Sequence, residues 1–462
     1  MPAITKSGNV LTKKPTKIEK INSVSVEYIV NPTYLLDKIK RVDGKGSGLD
    51  ADLVRGDYIN PRMFKNRIIN GDFSIWQRGE DFLFGTPDSW AASTSYSVGD
   101  IVIPTTANGF YYECTVAGTS GSSEPTWPTS VGGTVTDGDV TWECKGVQYN
   151  GGGYTADRYY SMIGNTDGYF ISKRSIMNNL NSLRVEAINP PTNLSDTSIN
   201  RFWTPFEQRF EGNYLFDLIQ KKSKVTISFL FKSNVSGKFS VLLRNNTNTD
   251  KSRSWGIDTW ATSFNYPGDE SVVRYTFTIP LDNTWNGGIF NDENLGFNII
   301  IAGISNANMV ASEENSWISG DYICAPDSVD WTATVGNYIE IAQLQLEEGE
   351  VATDFEHVPY DIQLMRCMRY YEEGCGLLKL ADGPQYTAGN YLGEWISFKV
   401  PKRIVPSVTE SILHFAQRSD GTWEDAGVEY ICCDGYATYV VTHSNTISWL
   451  IKSVVYKADA EL

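Results

Sequence analysis

The chain has 462 residues, with 39 Lys and Arg against 55 Asp and Glu and a formal net charge of −16. That balance excludes a protein whose main partner is a phosphate backbone, which needs clustered basic side chains. Aromatic residues make up 13% and charged residues 20% of the chain; such a chain is too apolar for disorder and has the composition of an all-β protein with many turns.

At roughly 150 residues per domain, the length predicts about three domains. Residues 1–65 carry few large apolar groups. Ser23–Ile29 alternates as one strand would, and Leu35, Leu36 and Ile39 have helical spacing. Gly44, Gly46 and Gly48 resemble a phosphate loop only superficially, because no Lys-Ser/Thr follows. Met1–Val10 has no apolar core of a signal peptide, and no apolar run nears the roughly 20 residues of a membrane span. A segment with so little core needs other chains to order it.

After Ile69, Asn70-Gly71-Asp72 predicts a strand entering a turn. A distinct stretch runs over 88–147. From 154 to about 350, alternation dominates. Val225, Ile227, Phe229 and Phe231 face one way and Thr226, Ser228 and Leu230 the other, and Val273, Tyr275, Phe277 and Ile279 repeat the pattern. Turn signals recur at 245–248 and 286–288. Period 2 on this scale predicts an antiparallel sandwich. A phase slip at Ala342-Gln343 predicts a β-bulge. Pro359 and Gly374 bracket a predicted helix, Asp361–Glu373, with Leu364, Cys367, Met368 and Tyr371 on one face. Residues 376–462 return to strands, at Trp395–Val400, Ile404–Thr409, Val428–Cys432, Tyr436–Thr442 and Thr446–Tyr456.

Chemistry-bearing motifs are sparse. The seven cysteines form no C-x-x-C and predict buried thiols in a reducing cytosol rather than a zinc site. The three histidines are isolated, and H-E-x-x-H, G-x-S-x-G and the Walker loop are missing. The acids at Glu347, Glu348 and Glu350 and at Glu372 and Glu373 read as solvated faces. Nothing places two carboxylates across a cleft as a glycosidase requires. No catalytic residue, cofactor or metal is assigned, and the chain is not expected to be an enzyme.

An ordered series of motifs carries a resemblance. It comprises Asn70-Gly71-Asp72-Phe73, Trp76-Gln77-Arg78-Gly79, Asp157-Arg158-Tyr159, Gln343–Gly349, Ala352–Glu356 and Cys367-Met368-Arg369-Tyr370-Tyr371. The series resembles tail-fibre and appendage proteins of tailed bacteriophages, whose shared domain is a jelly-roll sandwich similar to carbohydrate-binding modules. Gly46–Leu53 looks like a fibre-shaft repeat, and Ala458–Leu462 resembles the end of many such chains. Within 88–147, Trp90, Tyr96–Val102, Tyr111–Cys114, Gly121–Pro128 and Trp142–Cys144 resemble a small chitin-binding type of carbohydrate-binding module. The roughly 60-residue interruption after Gly79 is the clearest departure from the appendage pattern.

The resemblance implies an all-β chain with an antiparallel jelly-roll or β-sandwich domain, a small inserted β-module, short helices and a C-terminal β-domain, in an intertwined homotrimer. The expected divisions are an attachment arm and linker over 1–65, a sandwich over 66–87 plus 148–374, the inserted module over 88–147 and the C-terminal domain over 375–462. The expected function is a structural virion appendage of tail-fibre type that displays carbohydrate-binding domains to a bacterial surface glycan. It would be made in the host cytoplasm and would reach other virion proteins through residues 1–65, with neither nucleic acid nor membrane insertion involved. The alternatives are a capsid-anchored head fibre or decoration protein, and a polysaccharide-degrading tailspike.

An aromatic ring can lie against the C–H face of a pyranose, burying apolar area at low entropic cost. Trp127, held between Pro125 and Pro128, is the first candidate for such a contact, followed by Tyr111, Trp90 and Tyr96. A 60-residue module also needs Trp90, Tyr112 and Trp142 for its core, and the alternation Val140-Thr141-Trp142 assigns Trp142 there. The positions of Cys114 and Cys144 leave a contact or a bridge between them open.

Overall fold

A computed structural model describes residues 64–245, 258–281, 293–382, 391–418, 423–424, 428–433, 437–443 and 447–461. All of them lie in one of the chain's two units, Phe64–Leu462. The strand, helix, glycine run and shaft-like repeat expected before residue 64 fall outside these residues, as do the turns at 246–248 and 286–288.

The fold is all-β, built on two large sheets. The first has ten strands. From one edge, Val273–Pro280 is followed by Lys224–Ser233, Tyr338–Glu348, Leu180–Asn189, Tyr169–Met177 and Asp81–Phe84. The sheet continues through Val140–Tyr149 and Phe110–Val116 to Ile101–Val102, with Thr134–Asp137 beside Val140–Tyr149. The second has eight strands and runs from Trp317–Ser319 through Asp258–Tyr266, Gly237–Asn245, Leu295–Ile301, Phe202–Glu211 and Tyr159–Gly164 to Gly152–Tyr154, with Ile304–Ser305 beside Phe202–Glu211. The alternating residues fill the space between the sheets as expected: Val225, Ile227, Phe229 and Phe231 are all buried there, facing Phe239, Val241 and Leu243 of the second sheet. Thr226 and Ser228 point the other way and are buried too. The 349–354 segment crosses that face, where the Thr226 hydroxyl donates to the Gly349 carbonyl at 2.8 Å.

The bulge forms where the phase slips. Ser228 pairs with Gln345 but Leu230 pairs with Ala342, and Gln343 takes a positive φ of 50°. The bulge turns the Leu344 backbone away from its neighbouring strand. Its N–H instead donates to the Gly71 carbonyl at 2.8 Å, and its carbonyl accepts from Asn66 Nδ2 at 3.2 Å. At Gly71 a Cβ would overlap the Leu344 carbonyl oxygen, so this close approach requires glycine.

Among the described residues, two α-helices flank the sandwich. Tyr360–Met368 starts at Pro359 as expected but stops at Met368 rather than reaching Glu373. Tyr371 instead opens the strand Tyr371–Asp382, which pairs with Ile447–Asp459. Gly374 lies inside this strand, where a Cβ would strike the Tyr456 ring, and does not end the helix. The helix Gly212–Gln220 was not expected; it buries Leu215, Leu218 and Ile219. Beyond it, Tyr371–Asp382, Ile447–Asp459, Ser407–Arg418 and Trp423–Glu424 form one antiparallel sheet. Tyr391–Ser397, Ala437–His443 and Val428–Cys433 form another.

The recurring motifs of the sequence converge on one seam. Asn70 Oδ1 accepts from the Ile75 N–H at 3.0 Å, while its Nδ2 donates to the carbonyls of Ile75 and Asp157 at 2.9 and 3.0 Å. Asp157 in turn accepts from the Gln77 N–H at 3.0 Å. The Arg78 guanidinium lies 3.5 Å above the Tyr371 ring, and that of Arg158 lies 3.5 Å above Tyr370. The Glu461 carboxylate joins both arginines. Arg403 donates to the carbonyls of Ala460 and Glu461, each at 2.8 Å. The motif residues are thus a structural staple that ties segments nearly 400 positions apart.

Candidate functional site: an aromatic platform in residues 88–147

Residues 88–147 gather their own cluster: Trp90, Val102, Tyr112, Cys114, Val140, Trp142 and Cys144 are buried, and Tyr96, Phe110, Trp127 and Val135 pack against them. The backing strand, Val140–Tyr149, does not end with this cluster. It continues beside Asp81–Phe84 in the first sheet, in a parallel pairing that places Phe82 opposite Val147. The platform therefore stands on a strand shared with the sandwich.

One buried carboxylate organises the floor. Asp137 Oδ2 accepts from the indole N–H of Trp90 at 2.7 Å and from that of Trp142 at 3.1 Å. Its Oδ1 accepts from the Gly121 N–H at 2.8 Å. Two tryptophans and a loop thus depend on a residue that is 4% exposed.

Above this floor, Trp127 remains half-buried. Its ring centroid lies 4.3 Å from that of Tyr112 and 5.9 Å from that of Trp142. Its indole N–H donates to Glu124 Oε1 at 2.9 Å, and the Thr105 N–H and hydroxyl bind the same carboxylate. Burial acts against the charge on Glu124, but the hydrogen bonds from Thr105 and Trp127 outweigh it and hold its carboxyl below the usual range. Tyr112 donates to the Pro128 carbonyl at 2.8 Å, which pins the end of the Trp127 loop. Trp127 therefore combines a rigid holder with an accessible surface.

The four candidate residues separate. Tyr96 is half-buried, meets Trp142 edge-on at 4.8 Å and accepts from the Ala91 N–H through its hydroxyl. Trp90 is 7% exposed and belongs to the floor, because its indole is committed to Asp137. Tyr111 is 1% exposed and does not join the platform. Neighbouring strand residues point to opposite faces, and Tyr111 packs with Leu83, Ile103 and Ile171 instead. Its hydroxyl donates to Asp81 at 2.6 Å, and burial together with that carboxylate pushes its pKa well above the ordinary value. Tyr112 is buried in the module's core, where the sequence placed it with Trp90 and Trp142; Asp137 and Glu124 are the structural partners that sequence reasoning did not assign. The alternation of Phe110, Tyr112 and Cys114 on one face of their strand accounts for Tyr112 lying in that core.

Cys114 and Cys144 are free, buried thiols, as are Cys324 and Cys367. Among the described residues, no group of three or more His, Cys, Asp or Glu stands ready to hold a metal, and no helix is long and apolar enough to cross a membrane. Glu347 and Glu372 are not on solvated faces. Glu347 is 3% exposed and binds Thr353, while Glu372 is fully buried against Lys402 and Tyr456.

Residues 88–147 hold seven carboxylates and one lysine, a net −6. That lysine, Lys145, sits 3.9 Å from Glu113 and 3.6 Å from Glu143. A platform with this field repels anionic ligands and leaves neutral or amino-bearing ones favoured.

No protein-family model and no curated protein matches the sequence. Among solved structures, similarity extends to a family 11 carbohydrate-binding module from Clostridium thermocellum, in complex with a β-1,3-1,4-mixed-linked tetrasaccharide. It shares 12% identity over 44% of this chain and 98% of that one, with a TM-score of 0.25. A structure described as "CBM4 structure and function" shares 13% identity over 41% of this chain and 87% of that one, with a TM-score of 0.21. The enzymatically active domain of tailspike protein 4 of bacteriophage CBA120 shares 9% identity over 43% of this chain but 19% of that one, with a TM-score of 0.16. Likenesses of this size assign neither a family nor a ligand; the all-β architecture rests on the chain's own strand pairing.

Proposed function

We propose that this chain is a structural appendage protein that binds cell-surface carbohydrate, with Trp127 as the contact residue and Tyr96, which packs on the same Trp142, as a second. The observation that carries the reading is the half-buried Trp127 ring in a setting fixed by Tyr112, Trp142 and Glu124. A ring whose orientation is set before binding loses little entropy on meeting a sugar. The net −6 of residues 88–147 favours a neutral or amino-bearing glycan. Placement on a phage virion, and assembly as a homotrimer, follow from the motif resemblance. Three linked copies would turn weak single sites into useful avidity, by roughly 10²–10⁴.

The test is a glycan array probed with the full chain and with Trp127→Ala. Retention of neutral or amino-bearing glycans that disappears in the variant supports the reading. An array with no bound glycan, or one unchanged by the substitution, defeats it. Sizing by light scattering at micromolar concentration tests the trimer: a mass near three times 51.6 kDa is expected, and a stable monomer counts against it.

A further inference from the structure

The Trp127 platform carries a carboxylate with room for one more donor. Glu124 Oε1 accepts from the Trp127 indole N–H and from the Thr105 N–H, both at 2.9 Å, which occupies its two lone pairs. Among the described residues, Oε2 accepts from the Thr105 hydroxyl alone. The carboxyl is thus fixed at the nitrogen edge of the half-buried Trp127 ring, and it lies mostly in solvent. A ligand resting on that ring meets an acceptor that the protein leaves open.

No cation of the module competes for that position. Lys145 is the one basic residue of 88–147. Trp142 and Cys144 are buried in the platform's cluster. Glu143 and Lys145 alternate with them along Val140–Tyr149, so Lys145 stands on the opposite face of the strand. There Glu113 and Glu143 hold it. On the platform's side, the Asp137 carboxylate bonded to Trp142 adds its field to that of Glu124.

Charge narrows the class of ligand. A hydroxyl or an amide N–H can fill the open lone pair, but a charged donor gains more. A charge-assisted hydrogen bond is roughly twice as strong as a neutral one, and the surrounding carboxylates favour a cation. The donor must also sit on a body with an apolar face for Trp127. A hexosamine with a free amino group meets both demands. We propose that the platform selects a saccharide with an unacetylated amino group, its ammonium donating to Glu124 Oε2 while its ring stacks on Trp127. This rests on the carbohydrate reading above and narrows it from neutral or amino-bearing glycans to cationic ones.

The experiment titrates the full chain with three disaccharides that share one β-1,4 skeleton and differ only in the substituent beside the anomeric carbon: the glucosamine disaccharide, diacetylchitobiose and cellobiose. Saturation-transfer NMR reads each affinity at about pH 6, where a primary amine is protonated, and at about 0.01 M salt, where screening is weak. The glucosamine disaccharide should bind about fivefold tighter than either neutral one, the size of an exposed ion pair. Glu124→Gln should bring the three within about twofold of one another, and Trp127→Ala should weaken all three at least about tenfold. Glu113→Gln removes the same charge from the opposite face and should keep the preference. Equal or tighter binding of a neutral disaccharide, still lost in Trp127→Ala, overturns the proposal and leaves the carbohydrate reading standing. A preference that Glu113→Gln reduces as much as Glu124→Gln also overturns it, since bulk charge would then explain the selection. No Trp127-dependent binding of the glucosamine disaccharide overturns it too, and the glycan array then decides whether the carbohydrate reading falls with it.

Discussion

Glu461 offers the sharpest test of how this fold is held. Its side chain is 4% exposed and pairs with Arg158, at 1%, and Arg78, at 7%. Glu461→Ala leaves two guanidiniums buried against tyrosine rings, with less negative charge to compensate them. Removing one partner of a buried pair costs about 3–5 kcal/mol, because the remaining charge stays desolvated. Asp459 contacts Arg78 at 3.4 Å, but its side chain is 46% exposed, so Asp459→Asn should cost under about 1 kcal/mol. The seam ties together a unit of about 400 residues, Phe64–Leu462, for which the shift is roughly 1–2 °C per kcal/mol; the first variant should melt roughly 3–10 °C lower and the second within about 2 °C of the parent. Scanning fluorimetry on both, at matched concentration and salt, measures the contrast. Equal melting points for the two variants would refute the claim that Glu461 closes the seam.

Three further outcomes follow from the same contacts. Trp142 is fully buried, so Trp142→Ala should cost about 3–5 kcal/mol and unfold residues 88–147, while Trp127→Ala should leave them folded; limited proteolysis within 88–147 separates the two. Gly71→Ala forces a Cβ onto the Leu344 carbonyl and should destabilise the chain by about 1–3 kcal/mol, read as a lower urea midpoint. Glu124 has its carboxyl held below its ordinary value of 4.5. Its ionised form therefore stabilises the folded chain above pH 4.5, and that contribution is lost as pH falls through the lowered folded value. Trp127 fluorescence, read as the difference between the parent and Trp127→Ala, should stay constant from pH 7 to 4.5 and change only below. Glu124→Gln should abolish the acid step, and a step above pH 5 would contradict the assignment.

Much of the sandwich is legible in the sequence because its signal is local. Alternation at Val225–Phe231 requires only that one face be apolar, and the slip at Ala342-Gln343 marks a bulge without any knowledge of what lies beside it. What stays hidden is set by distant partners. Helix Tyr360–Met368 ends early because the following residues pair with Ile447–Asp459, and nothing local at Glu373 or Gly374 reveals that. Glu461 reads as an acid near the end of the chain, yet its role comes from arginines some 300 to 380 positions earlier. The candidate site was half legible. Pro125 and Pro128 mark the loop that sets Trp127 against Tyr112, whereas Tyr111, offered as a second contact, packs in a different cluster, since in a strand one residue reverses the face. The short, period-3.6 pattern of Gly212–Gln220 is lost amid strands, since Leu215, Leu218 and Ile219 also occur in a run of apolar residues.

The central claim is that carbohydrate meets this chain at Trp127. Titration calorimetry with the best array glycan, on the parent, Trp127→Ala and Tyr111→Phe, tests it most directly. The account predicts at least about tenfold weaker binding for Trp127→Ala and an affinity within about twofold of the parent for Tyr111→Phe, whose ring lies on the opposite face of the strand. Full affinity in Trp127→Ala, or a loss confined to Tyr111→Phe, would contradict it.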